Sequence, residues 1–170
     1  MKIRSHDFAM IVAAIAIALA AISLVEFPAS SSNNNGITTE HRQSLLFEST
    51  YTSYPAYVNV TSVSESQNIS IGFDISPQEL DFGALPGGSI SRKFLHISNP
   101  SSRRARIMIK ASGAIARIIG FSDSDFFMDS GASVDVKASV APEASDSGIY
   151  SGEVTVIYRQ SRLNFLDFLV

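Results

Sequence analysis

Val134-Asp135-Val136-Lys137-Ala138-Ser139-Val140 is the stretch on which the fold turns. Apolar and polar side chains alternate along it without a break. Successive side chains of an extended chain point to opposite faces, so one face suits a core and the other suits water. The same period of two recurs outward in both directions. Ala105, Ile107 and Ile109 alternate with Arg104, Arg106, Met108 and Lys110; Val154, Val156 and Tyr158 alternate with Glu153, Thr155, Ile157 and Arg159. Ile69, Ile71, Phe73 and Ile75 alternate with Ser70, Gly72, Asp74 and Ser76. Turn sequences separate these runs: Pro86-Gly87-Gly88, Asn99-Pro100-Ser101-Ser102, Asp129-Ser130-Gly131 and Asp146-Ser147-Gly148. Further strands are expected over 80–85, 90–98 and 115–121. About seven short strands without helical periodicity predict an all-β domain, an antiparallel β-sandwich over residues 69–160.

Upstream the pattern changes character. Phe8 to Val25 holds eighteen residues, of which Ser23 alone is polar. As a helix it would span roughly 27 Å, close to the hydrocarbon thickness of a bilayer. Lys2 and Arg4 precede it and Glu26 follows, so the positive-inside rule places residues 1–7 in the cytoplasm and the sandwich outside. The expectation is one N-terminal transmembrane helix over 8–25 that holds a single-pass protein in the cell membrane. A cleaved signal peptide ending near Ala29-Ser30-Ser31 is the competing reading, and its usual apolar core is shorter. Residues 26–46, with PASSSNNNGITTE at their centre, are small and polar and predict a flexible linker. Residues 47–68 carry Tyr51, Tyr54 and Tyr57 around Pro55 and predict an added edge strand, where proline is tolerated. Those tyrosines suit a covered sandwich edge or an aromatic ligand platform.

Composition narrows the function classes. With 170 residues the chain suits one domain and its accessory segments. A net charge of −3 implies no nucleic-acid partner. The chain has no cysteine, which removes disulfides, thiolate metal sites and thiol nucleophiles together. His6, His41 and His96 are scattered, no G-x-S-x-G elbow accompanies the serines, and the glycine pairs lead into strands rather than helices. The sequence predicts no enzyme and no cofactor.

One group of proteins shares the spacing of the central motifs. Ser76-Pro77-Gln78-Glu79-Leu80-Asp81-Phe82-Gly83 is followed by Gly87-Gly88, a strand from Phe94 to Ser98 and then Asn99; Phe126-Phe127, Gly131 and Gly148-Ile149-Tyr150-Ser151-Gly152 close the pattern. This resembles the immunoglobulin-like sandwiches of the Hydin (ASH) and major-sperm-protein-like group over residues 69–159. The resemblance implies an immunoglobulin-like β-sandwich that serves as scaffolding or as a protein-binding module. An export segment sets this chain apart from the mostly cytosolic members of that group.

Several residues are candidates for contact. Asp123, Asp125 and Asp129 supply carboxylates at loop spacing for Ca²⁺, although no bidentate glutamate follows as a calcium loop requires. Arg92, Arg103, Arg104 and Arg106 form a basic set suited to lipid headgroups or an acidic partner, or simply to solubility. Asn59-Val60-Thr61 and Asn68-Ile69-Ser70 are glycosylation sequons in a host that glycosylates exported chains. Residues 161–170 form an apolar tail: Phe165 and Phe168 lie in a stretch of eight, 163–170, of which six are apolar, and it is expected to meet a partner. Together these features predict a membrane-anchored, non-catalytic interaction or structural module of the cell envelope. A secreted glycan- or calcium-binding module and a non-catalytic accessory subunit of a surface complex are the alternatives.

Overall fold

The structure is a computed structural model and describes Met10, Ala13 and residues 25–34, 36–62 and 79–162. Ten strands make up almost all of it: β1 (Phe27–Asn34), β2 (Ile37–Gln43), β3 (Phe47–Thr61), β4 (Leu80–Pro86), β5 (Ser91–Ser98), β6 (Ala105–Gly113), β7 (Ile119–Phe121), β8 (Asp125–Met128), β9 (Ser133–Val140) and β10 (Gly148–Ser161). They form two sheets. The larger, of seven strands, runs β1-β2-β3-β10-β6-β8 with β4 also paired to β3, and the smaller runs β5-β9-β7.

The two sheets close on one core. Val58, Val60, Ile107, Ile109, Val154 and Val156 from the large sheet meet Leu95, Ile97, Val136, Ala138 and Val140 from the small one, all buried. The expected alternation holds in β9, where Val136 is 1% exposed and Lys137 faces solvent. Val134 departs from it and is 39% exposed at the strand's start.

The motif residues have local reasons for their identity. Leu80 and Phe82 are buried on one side of β4. The Asp81 carboxylate accepts a hydrogen bond from the Gly83 amide at 2.7 Å, and Gly83 has φ +71°, a conformation costly for residues with a Cβ. Where β6 and β10 pair, a Cβ on Gly113 would stand 2.7 Å from the Gly152 Cα. Glycine there lets the strands approach closely, and the chain then turns into a single 3-10 turn, Ala114–Arg117, whose Ile115 is fully buried.

Four expectations need correction. Residues 27–43 are not a structureless linker: β1 and β2 form an antiparallel hairpin, with Asn34 opposite Ile37 and Gly36 at φ +86° in the turn. β3 is not an edge strand. It pairs with β10 over residues 47–60, with β2 over residues 48–53 and with β4 over residues 56–61. Pro55 falls in the gap between those last two partners, where no neighbour on that side asks for its missing amide hydrogen. The sandwich therefore begins at Phe47 and not at residue 69. It is also not wholly antiparallel, because β3 and β4 run parallel. Lastly, the strand expected over 115–121 is the 3-10 turn followed by the three-residue β7.

The strand expected over 69–76 lies outside the described residues, as do most of the 8–25 segment and all of the 163–170 tail. Met10 and Ala13 are helical. Among the described residues no helix is long and apolar enough to cross a membrane.

Candidate functional site: the arginine-bearing end of the sandwich

The strand registers bring distant parts of the sequence to one end. Phe27 pairs with Gln43, Gln43 with Glu48, Glu48 with Gln160, and Phe47 with Ser161. The connections 99–104 and 129–132 lie at the same end, because β6 starts there and pairs Ala105 with Met128 of β8. One transverse row of the outer face reads Pro28, Arg42, Ser49, Arg159, Arg106 and Phe127 across five strand pairings.

Arginines dominate this end, and they divide into two sets. Arg106 makes a two-pronged bond to Asp125, with Nε–Oδ1 2.8 Å and Nη2–Oδ2 2.7 Å. That bond holds the Asp125 carboxyl below its ordinary range. Arg42 grips Glu40 in the same way at 3.0 Å, lowering the Glu40 carboxyl, while its guanidinium lies 4.5 Å from the Tyr51 ring centre. Arg104 stands 3.7 Å from Asp129 and stacks 4.4 Å over Phe127. By contrast, among the described residues Arg103, Arg159 and Arg162 face no carboxylate within ion-pair distance. Arg103 donates to the Ser161 carbonyl at 2.6 Å and Arg162 to the Ser44 carbonyl at 3.1 Å. Arg159 lies 4.2 Å over the Phe47 ring, and its Nε is buried without an acceptor.

Asn99 fastens the loops of this end together. Its side chain is 1% exposed and its Nδ2 donates to the carbonyls of Arg103, Met128 and Asp129 at 2.8, 3.1 and 3.1 Å. Its Oδ1 accepts from the Ser101 amide and hydroxyl and from Gln160 Nε2. Beside it opens a cleft of about 320 Å³ lined by Glu48, Thr50, Ser98, Ser101, Tyr158 and Gln160 among others. The lining sets hydroxyls, amides and one carboxylate among apolar surface that includes Pro100, and the Tyr158 hydroxyl donates to the Ser98 carbonyl at 3.1 Å.

The chain is fastened here too. Glu26, immediately after the apolar segment, accepts hydrogen bonds from the Ser49 hydroxyl at 2.8 Å and the Tyr51 hydroxyl at 2.9 Å. Burial raises the Tyr51 phenol, and the Glu26 carboxylate beside it pushes the same way. At the far end of β10, the Arg162 amide donates to the Leu46 carbonyl at 2.8 Å. Val25, Phe27 and Leu45 are 48%, 63% and 57% exposed around these points.

The structure sorts the sequence candidates unevenly. Arg103, Arg104 and Arg106 come together, but Arg92 sits near the opposite end of β5, paired with Ser139. Asp125 and Asp129 turn to different arginines, Asp123 caps the Asp125 amide at 3.3 Å, and the described residues hold no cluster arranged for a metal. Tyr51 and Tyr57 lie on the outer face of β3 while Tyr54 packs into the core, so the three make no single platform. Asn59 is exposed on β3; Asn68, Phe165 and Phe168 lie outside the described residues. Arg159, Arg162, Glu26 and Ser49 were missed, because their pairing depends on strand register and no local pattern marks it.

The chain matches no family model, no curated protein and no solved structure.

Proposed function

We propose that this is a membrane-anchored, non-catalytic protein-interaction module of the cell envelope, held in the bilayer by residues 8–25 and presenting its sandwich outside. The observation that carries the interaction reading is the free edge of β1. All eight of its residues are exposed, and among the described residues it ends the large sheet with no strand beyond it. A bulge between Pro28 and Ser30 blunts the edge near its start, leaving Ser30 to Asn34 as regular strand, paired with β2 on one side and with no described strand on the other. Small side chains there let an extended segment of a second protein add to the sheet by main-chain hydrogen bonds. The helical state of Met10 and Ala13, within eighteen nearly unbroken apolar residues, supports the anchor. The Leu80 to Gly83 motif, the Gly87-Gly88 turn and the buried Asn99 support kinship with the immunoglobulin-like sandwiches of the Hydin (ASH) and major-sperm-protein-like group, whose members bind proteins.

The test is a pair of adjacent variants, Ser31→Pro and Ser32→Pro, in protein solubilised from its membrane. Alternate residues of β1 turn their amides toward the free edge, so one of the two removes an outward donor. That variant should lower the apparent mass of the solubilised complex while leaving the melting temperature nearly unchanged. Full-size complexes with both variants would reject strand addition.

A further inference from the structure

We propose that the arginine-bearing end of the sandwich rests directly on an anionic bilayer surface, with Phe27 and Leu45 in the interfacial layer and Arg103, Arg159 and Arg162 toward lipid phosphates. The proposal builds on the anchored reading above. It adds an orientation and a contact that anchoring alone does not require, since a sandwich on a free stalk would tumble above the membrane.

Three observations carry it. First, there is no stalk: Glu26 is bonded to Ser49 and Tyr51, and β1 begins at the next residue, so the body starts where the apolar segment ends. Second, both apolar segments join the body at this end. Residues 8–25 arrive at Glu26, and the chain leaves through Arg162, bonded to Leu46, into residues 163–170, six of which are apolar. Third, the exposed side chains here match an interface. Val25, Phe27 and Leu45 are large, apolar and about half or more exposed; beside them the exposed Arg162 and the half-buried Arg103 and Arg159 face no carboxylate within ion-pair distance among the described residues, and Glu26 and Glu48 make no ion pair there. Apolar groups set among cations suit the boundary between acyl chains and anionic headgroups.

The absence of cysteine makes the test direct. Full-length Leu45→Cys and Ser147→Cys proteins, each labelled with an environment-sensitive fluorophore, are reconstituted into vesicles containing headgroup-quencher lipids. Both positions are exposed, on opposite ends of the body. The label at 45 should be quenched several-fold more than the label at 147, and more in anionic than in zwitterionic vesicles. Equal quenching at both positions, with the protein floating with the vesicles, would overturn the contact and leave the anchor standing. Quenching at 45 that ignores lipid charge would remove the arginines from the contact. Failure to float would overturn the anchored reading and the orientation with it.

Discussion

The β1–β2 hairpin and the sandwich behind it are built from the same kind of ladder, yet different forces hold them. In β9 and β10 the ladder is backed by a core: Val136, Ala138, Val140, Val154 and Val156 are all at or below 3% exposure. Among the described residues of the hairpin no side chain is buried; β1 is exposed throughout, and β2 is half-buried except at Gln43, which is exposed. What ties it to β3 is main-chain pairing, the His41–Thr50 hydrogen bond at 2.9 Å, and the Arg42 stack on Tyr51. Hydrogen bonds exchanged with water contribute modestly, whereas buried apolar area contributes about 25 cal/mol per Å². The hairpin is therefore the part able to open or accept a new strand while the sandwich stays folded.

The sharpest way to break this comparison is Val136→Asp beside Lys137→Asp. A buried, unpaired carboxylate costs several kcal/mol, so the first should abolish or severely reduce thermal stability while the second leaves it nearly unchanged. Equal effects on melting would mean that the two faces of β9 are misassigned. Asn99→Ala comes next. It strips partners from three carbonyls and from Gln160, and a buried group left unsatisfied costs about 1–3 kcal/mol, so a loss of about 2 kcal/mol or more is expected in denaturant melts. Arg42→Ala should barely move the melting temperature yet speed amide hydrogen exchange in β1 and β2 relative to β10. A uniform rise across all strands would show that the hairpin and sandwich unfold as one unit.

The smallest effect expected is with pH. Asp125 and Glu40 have folded-state values below their ordinary ones because Arg106 and Arg42 hold the charged form. Their contribution is present above the unfolded-state values of 3.8 and 4.5 and is lost as pH falls through the lower folded values. The Arg106–Asp125 pair is exposed and the Arg42–Glu40 pair is open to solvent on one side, so both are screened, and the loss should be slight and should nearly vanish at high salt. Asp125→Asn should flatten that part of the acid profile.

Much of the core could be read directly. Alternation in 105–110, 134–140 and 153–159 named most of the buried residues, because period two has one meaning when one face is apolar; Val134 at a strand start and Ile157 on the other face are the departures. The hairpin was harder. Asn35-Gly36 is a strong turn signal, but Ser, Thr and Asn on both sides hide any period, so composition suggested a linker. β3 misled for a related reason. Ser49, Thr50, Thr52 and Ser53 look like surface, yet Ser49 is 1% exposed because Glu26, twenty-three residues earlier, bonds its hydroxyl. Pro55 argued for an edge, and the structure uses it at a change of partners.

For the candidate site the division is similar. The arginine run 103–106 stood out by local density, whereas Arg159 and Arg162 join it only because β10 returns antiparallel to β3 and pairs Arg159 with Arg106. Sequence by itself determined the all-β class, the two-faced strands, the apolar segments at each end of the chain and the cysteine-free chemistry, since these depend on neighbours two residues apart or on composition. Only the tertiary structure decided that β3 is central, that residues 27–43 are a hairpin, and that both apolar segments join the body at one end. Those are consequences of register between strands whose paired residues lie up to more than a hundred positions apart, and no local pattern encodes register.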